Sequence, residues 1–445
     1  TVTGILTAHM DSVPLVVLTG QTITPNLGKD AFQEADVFGV TMPVVKHSYL
    51  VRDVKDLSRI IKEAFHLASS GRPGPVLVDL PKDVVSEEWN EDFSAEIELP
   101  GYQVQSNGDS ANIKKVAELL AKSKRPLLYV GAGAVISGAS KQVLKLAEKL
   151  QAPVTTTLLG KGGFSEKHPL SVGMLGMHGT AYANKTVVDC DLIMAVGARW
   201  DDRITGKVSE FCTNATKIHI DIDPAEFGKI IQPDISVNGD VSAVLDELIP
   251  QVKKLNSKDW LKKIEIWKKK HPLKYPKRGG LRAQHVLAEL DRLTNSKAVV
   301  STDVGQHQMW AAQFCKSIRE RQWLSSGGAG TMGYGFPAAI GAQLGNPKEL
   351  VVAVVGDGGF QMTMSELATA AIHKLPIKIL IINNRYLGMV RQWQQLFFDN
   401  RESGVNMQGN PDFVKIGEAY GIKGFHLRRA GDVTKVLNKA LDYND

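Results

Sequence analysis

Two kinds of apolar run alternate along the chain. Short, unbroken, β-branched runs such as PLVVLTG (14–20), PVLVDL (75–80), PLLYV (126–130), LIMAV (192–196) and LVVAVVG (350–356) have the signature of buried parallel strands. Between them lie helical patterns, including residues 54–69 and KQVLKLAEKLQ (141–151), in which apolar positions recur every three or four residues. The start, TVTGILTAHMDSVPLVVLTGQ, predicts an amphipathic helix running directly into a buried strand at Pro14–Gly20. Further strands are expected near 127–131, 153–158, 192–197, 216–221 and 377–384. Such alternation predicts the α/β class, with doubly wound parallel sheets and helices on both faces.

Two polar stretches divide this pattern. SEEWNEDFSAEIELPGYQVQSNGDS (86–110) has the composition of a linker, and so does the lysine-rich 256–282. The expected domains are therefore 1–85, 111–255 and 283–445, with the first and last incomplete: the chain lacks an initiator Met or a signal pattern, and it stops in LNKALDYND, inside a helix. Its 445 residues suffice for two or three cores. The formal charge of +6 is small, and much of it sits in LKKIEIWKKKHPLKYPKRGG (261–280). That run fits either a nucleic-acid contact or a solvated linker, and the absence of a recognition motif favours the linker. Cys190, Cys212 and Cys315 are too far apart for a zinc or CxxC site and read as buried thiols in a reducing compartment. No apolar run reaches the roughly 18 residues of a membrane span.

The chemistry concentrates in GDGGFQMTMSELATAAIHKLPIKILIINN (356–384). Thr363 and Glu366 form a capping-box pattern expected to start a helix, and Pro376 stops it. A strand–helix–strand unit of this length closes a right-handed parallel crossover. Were the two strands neighbours, Asp357 and the amides Asn383 and Asn384 would meet about 5 Å apart at their C-terminal ends. One carboxylate and one amide oxygen suit Mg²⁺, which completes its octahedron with phosphate oxygens and water. Gly356, Gly358 and Gly359 would let backbone N–H groups approach a diphosphate. A lone GDG is equally an ordinary polar turn; GDG and NN at the ends of two buried strands is far more specific.

This GDG…NN pattern resembles the thiamine-diphosphate signature. The stretches DVGQHQMWAAQF (303–314), SSGGAGTMGYGFPAAIGAQLG (325–345), NNRYLGMVRQWQ (383–394), GKDAFQEAD (28–36), LGMHGTAYAN (175–184) and GARWDDRITGK (197–207) resemble the catalytic large subunit of acetohydroxyacid (acetolactate) synthase over essentially the whole chain. The resemblance implies Mg²⁺ ligands Asp357, Asn384 and the backbone carbonyl of Tyr386. It also implies thiamine diphosphate contacts from Gly305, Gln306, His307, Gly330, Thr331, Met332, Gly358, Gly359 and Met389. Met332 would keep the cofactor folded. Taken alone, His307 and Met332 are equally core residues.

The same resemblance implies a flavin (FAD) domain in the middle. The residues themselves give only a weak signal: YVGAGAVISG carries GxG after a strand but lacks the third glycine. The implied FAD contacts are Arg72, Gly131, Ala132, Gly133, Thr157, Leu158, Leu175, Gly176, Met177, His178, Gly197, Ala198, Arg199, Asp201, Asp202, Arg203, Asp221, Ile222, Asp240 and Val241. Several of them fall at expected C-terminal strand ends, where doubly wound sheets bind ligands; DDR alone reads equally as a surface charge cluster. Phe32, Arg203 and Trp393 would shape the substrate pocket, and Gln33, Lys82, Met332, Met389 and Trp393 are the implied catalytic-site side chains.

By resemblance the function is decarboxylation of pyruvate and condensation with pyruvate or 2-ketobutyrate, in branched-chain amino-acid biosynthesis. A homodimer or homotetramer, a small regulatory subunit and a location in bacterial cytoplasm or a plastid go with it, without nucleic acid or membrane. Two departures stand out. Ile23, Thr24 and Pro25 replace the family's usual residues after GQ at the channel mouth, and the family's catalytic glutamate would fall before Thr1, so the chain alone is expected to be inactive. A pyruvate oxidase or glyoxylate carboligase type of enzyme, and a non-catalytic paralogue kept for assembly, stay open as alternatives.

Overall fold

The computed structural model describes residues 1–89, 96–276 and 278–443, and among them thirteen strands form three all-parallel sheets; the unbroken apolar runs are strands, but so are the more polar His47–Leu50, Ser171–Met174 and Ile235–Asn238. The chain divides into two compact units: Thr1–Ser106 with Gly327–Gly330, and Asn107–Ser326 with Thr331–Asp445.

The first unit carries β1 (Leu15–Gln21), β2 (His47–Leu50) and β3 (Pro75–Pro81), in the order β1-β3-β2. Helix Val54–Ser69 begins where Asp53 accepts the Lys55 N–H, and it buries Ile60, Ala64 and Leu67 against Val76 and Val78. The buried strand expected at Pro14–Gly20 is instead an edge strand with Leu18 58% exposed, because only β3 pairs with it. The stretch 86–110 is less of a free linker than its composition implies. Residues 90–95 lie outside the described residues, but Leu99 and Tyr102 pack on this unit's core. Tyr102 also bonds Ser70 and Lys46.

The second unit holds the other two sheets. β4 (Pro126–Val130), β5 (Val154–Thr156), β6 (Ser171–Met174), β7 (Leu192–Val196), β8 (Thr216–Asp221) and β9 (Ile235–Asn238) are arranged β6-β5-β4-β7-β8-β9. Counted from β4, this is the strand order of a doubly wound dinucleotide-binding sheet, reversing between β4 and β7. The basic stretch is not a solvated linker throughout: Lys258–Lys270 is a helix. It sends its lysines outward and buries Trp260 and Ile264 against this sheet, with Trp260 Nε1 donating to Pro126 O at 3.2 Å.

In the last sheet, β10 (Val299–Thr302), β11 (Trp323–Ser325), β12 (Val351–Gly356) and β13 (Lys378–Ile382) follow the order β11-β10-β12-β13. β12 is buried at every position, whereas β13, expected to be buried, is an edge strand and only half-buried along its length. The helix after β12 starts at Asp357, six residues before the expected capping box. That box does not form: Thr363 Oγ1 donates to Gly333 O at 3.0 Å and Glu366 accepts from Thr369. A 3₁₀ turn at Met364–Glu366 leads into helix Leu367–Ile372, which ends before Lys374 turns to φ +49°.

Helix Gln306–Phe314 carries the candidate diphosphate contacts at its start, and its end is pinned by the fully buried Lys161. The Lys161 ammonium donates to Ala312 O at 3.0 Å and to Glu166 Oε2 at 2.5 Å, and lies over the Trp323 ring. Glu166 in turn accepts the Ser317 N–H at 2.6 Å. Lys161→Ala leaves the Glu166 carboxylate, 11% exposed, without its cation. We expect a loss of about 3–5 kcal/mol in urea unfolding, most of it recovered by the paired change Lys161→Met with Glu166→Leu.

Candidate active site

β12 and β13 are adjacent and in parallel register, with Gly356 opposite Ile382. Asp357 and the Asn383–Asn384 pair are the residues immediately after these strands, so the juxtaposition expected from the sequence is present. Asp357 is only 2% exposed, and burial raises its pKa while hydrogen bonds oppose the rise. The Asn384 side-chain oxygen accepts the Tyr386 N–H at 3.0 Å and Asn383 accepts the Arg385 N–H at 3.2 Å, which folds the loop into two overlapping Asx turns. Among the described residues no cluster of three or more His, Cys, Asp or Glu side chains is placed to hold a metal. A cation at Asp357 would therefore find one carboxylate and neutral oxygens from the protein, a donor set suited to Mg²⁺ sharing a phosphate.

A cavity opens beside these residues, lined by Gln306, His307, Met332, Asp357, Asn384 and Met389 among others. His307 is buried, and its Nε2 has no hydrogen-bond partner. Buried polar atoms are almost always paired, so an unpaired one on a side chain that lines a cavity points to a ligand there. Burial pushes the His307 pKa down to about 4, which keeps the ring neutral at neutral pH.

The glycines around the cavity are occupied sites. A Cβ on Gly356 would stand 2.7 Å from the His307 ring, and one on Gly358 2.6 Å from Leu387. On Gly359 it would stand 2.2 Å from the Asp303 carboxylate, and on Gly388 2.3 Å from Gln306. Their first role is thus to let protein side chains close in around the cavity, rather than only to present N–H groups to phosphate.

Two residues that organise this site escape sequence reasoning. Asp303, fully buried at the end of β10, accepts the N–H groups of Val304, Gly333 and Gly335 at 2.8–3.0 Å and so anchors the loop of Thr331 and Met332. Its signal was available: it is an acidic residue at a buried strand's C-terminal end, like Asp357. Asn410 donates to Asp357 Oδ2 at 2.5 Å from 53 residues away, and nothing local announces it. Gln308 adds support by donating to Ser325 Oγ at 2.8 Å, and Gln306 by donating to Gln392 at 2.8 Å.

At the switch between β4 and β7, Gly131, Gly133 and Gly197 pack backbone on backbone. The Gly131 N–H goes to Val196 O and the Gly133 N–H to Gly197 O. A Cβ on Gly131 would fall 2.2 Å from Gly197 O. These glycines let one loop pack on the other. Asp221 is buried at the end of β8. Asp240 caps helix Val241–Gln251 and accepts from Ser137 at 2.8 Å, while Val241 faces the core. LGMHGT and DDR, separate in sequence, meet here. Met177 N–H donates to Arg203 O at 3.0 Å, and a Cβ on Gly176 would stand 2.5 Å from that oxygen. Burial, with Arg203 nearby, lowers the His178 pKa. Gln313 donates to His178 O at 2.9 Å.

Arg203 and Trp393 are also brought together, the guanidinium 5.4 Å from the indole centroid. Trp393, with Met389, Val390 and Phe398, lines an apolar hollow, and Met389 borders both this hollow and the cavity. Phe32 (90% exposed), Gln33 (φ +61°), Lys82, Arg72 and Gly330 belong to the first unit. Within that unit Arg72 donates to Ser12 at 2.9 Å.

The depressed His307 pKa has a consequence for stability. The unfolded chain binds a proton near pH 6.5 and the folded chain only near pH 4, so stability is full above about pH 6.5 and falls as pH drops towards 4. We expect His307 to contribute about 2–3 kcal/mol to the loss between about pH 7 and pH 4.5. His307→Gln should remove that share of the pH dependence of the urea midpoint.

Residues 303–445 match the family model described as thiamine pyrophosphate enzyme, C-terminal TPP binding domain, and residues 113–248 match its central domain. The chain is 50% identical over 454 aligned residues to the acetolactate synthase large subunit of Porphyra purpurea, covering 99% of this chain and 76% of that protein. It is 43% identical to the acetolactate synthase isozyme 3 large subunit of Escherichia coli, covering 99% of this chain and 79% of that protein. It is 45% identical to the probable acetolactate synthase large subunit of Methanocaldococcus jannaschii, covering 100% and 77%. With buried Asp357 beside Asn384 at the mouth of a parallel sheet, these similarities establish that the chain belongs to the acetolactate synthase large-subunit family of thiamine-diphosphate-dependent carboligases.

Proposed function

We propose that the cavity at the C-terminal end of the last sheet holds Mg²⁺ and the diphosphate of thiamine diphosphate. The observation that carries this reading is the meeting of a buried carboxylate, Asp357, with Asn384, beside a buried and unpartnered His307 nitrogen. Asp357, the Asn384 side-chain oxygen and the Tyr386 carbonyl would hold the cation. Gly305, Gln306, His307, Gly358 and Gly359 would surround the diphosphate, with Gly330, Thr331 and Met332 along the rest of the cofactor. When bound, thiamine diphosphate supplies the electron sink for loss of CO₂ from a 2-ketoacid. The chain's own part is to bind, orient and exclude water. Neutral His307 donates or accepts a hydrogen bond without placing a second charge in the cavity. Met332 and Met389 give the cavity apolar walls, and Arg203 beside Trp393 offers a cation for the carboxylate of the second 2-ketoacid at the rim of an apolar hollow. Two pyruvates then yield acetolactate and CO₂; 2-ketobutyrate as second substrate yields acetohydroxybutyrate.

The domain assignment belongs to the same proposal: 1–85 as part of a pyrimidine-binding domain, 111–255 as the FAD-binding domain, and 283–445 as the diphosphate-binding domain. The crevice between β4 and β7 is the switch point where such sheets take a dinucleotide. Gly176 to His178, Arg199, Asp201 to Arg203 and Asp221 would supply polar groups and close backbone approach to FAD, which would take no net redox part. The words "large subunit" in the relatives' names support a small regulatory partner; a homodimer or homotetramer is part of the same proposal. Cytoplasm or a plastid is the location that goes with this proposal; among the described residues no helix is long and apolar enough to cross a membrane.

The test is to supply the complete enzyme with pyruvate, Mg²⁺, thiamine diphosphate and FAD. Acetolactate should form with the flavin remaining oxidised, and Asp357→Ala should abolish it. Acetyl phosphate with peroxide would instead make it an oxidase. In competition between pyruvate and 2-ketobutyrate, Trp393→Leu should change the product ratio by about tenfold or more while sparing condensation of two pyruvates.

A further inference from the structure

We infer that Asn410 is a positioning residue for the cation at Asp357, and that through it the segment following the metal loop is locked to the cofactor site. This rests on Asp357 being a metal ligand.

The Asn410 amide is held from both ends. Its Nδ2 donates to Asp357 Oδ2 at 2.5 Å and lies 3.3 Å from Asn383 Oδ1. Its Oδ1 accepts from Gln361 Nε2 at 2.9 Å, and the same Gln361 group reaches the Asp357 carbonyl at 3.1 Å. Turned round, the amide would set its oxygen against two side-chain oxygens and its NH₂ against another NH₂. The donor end is thereby committed to the carboxylate. A short hydrogen bond to a carboxylate is among the stronger ones. It fixes the plane of the carboxylate and engages one oxygen, so that the other serves the cation. Partners of this kind, one step removed from the metal, orient its ligands and set its affinity.

The backbone brings Asn410 to this place. Leu387 N–H donates to Val405 O and Met407 N–H to Arg385 O, both at 2.9 Å, and Tyr386 bridges to Asn406 in antiparallel fashion. Residues 405–407 thus pair with the loop that offers the Tyr386 carbonyl, and Asn410 lies three residues beyond. Helix Gly388–Phe397, bearing Met389 and Trp393, spans the interval with no fully buried residue. It depends on that paired base, and Asn410 ties the base to Asp357.

The experiment uses the complete enzyme and titrates Mn²⁺ by electron paramagnetic resonance in the presence of thiamine diphosphate. Asp357→Ala is the reference and should lose Mn²⁺ binding. Asn410→Ala should raise the Mn²⁺ Kd about 10–100-fold, with circular dichroism and the thermal midpoint near wild type. Should Asn410→Ala misfold, Asn410→Ser, which keeps a short donor, should raise Kd about three- to tenfold, and Gln361→Leu should shift it in the same direction. If Asp357→Ala weakens Mn²⁺ while the folded Asn410 and Gln361 variants stay within about twofold of wild type, the inference is overturned and the metal reading stands. If Asp357→Ala itself leaves Kd unchanged, both fall.

Discussion

The parallel register of β12 with β13 is the constraint on which the site depends. Because Gly356 stands opposite Ile382, the carboxylate that follows one strand and the amides that follow the other emerge side by side. A one-residue slip would turn every side chain of a strand to the opposite face, so the apolar runs that bury β12 also specify the geometry of its polar end. The hydrophobic pattern thereby sets where a cation can sit. It contributes no ligand itself.

Around that register the protein concentrates buried polar groups that it satisfies only in part. Asp303 is fully engaged by three N–H groups and serves as scaffold. Asp357 also collects hydrogen bonds, from Asn410 and from backbone N–H groups, but they work against the cost of burying its carboxylate, and His307 retains an unpaired nitrogen. Such groups cost stability in the absence of a ligand. On the proposed reading, a cation shared with a phosphate group would offset the buried Asp357 carboxylate and give His307 a partner at once.

Much of this was legible in the sequence. The α/β class, helix Val54–Ser69 and the meeting of Asp357 with Asn384 follow from periodicity, strand ends and Pro376. The failures have physical causes. Edge status is a property of the sheet rather than the strand, so β1 and β13 looked as buried as β12. The lysines of Lys258–Lys270 masked the period of Trp260, Ile264 and Trp267, which is what the sheet reads. The capping box at Thr363 was overruled because the Gly-rich stretch already turns helical at Asp357, leaving the threonine to bond Gly333. Asn410 acts across 53 residues through a pairing that no local pattern encodes.

The central claim is that Asp357 and Asn384 hold a divalent cation at the foot of thiamine diphosphate. The most direct measurement is a crystal structure of the enzyme with Mn²⁺ and thiamine diphosphate, with the metal located by its anomalous scattering. The account predicts one peak coordinated by the Asp357 carboxylate, the Asn384 side-chain oxygen and the Tyr386 carbonyl, with diphosphate oxygens completing the shell. A peak elsewhere, or a diphosphate bound with no metal between it and Asp357, would contradict it.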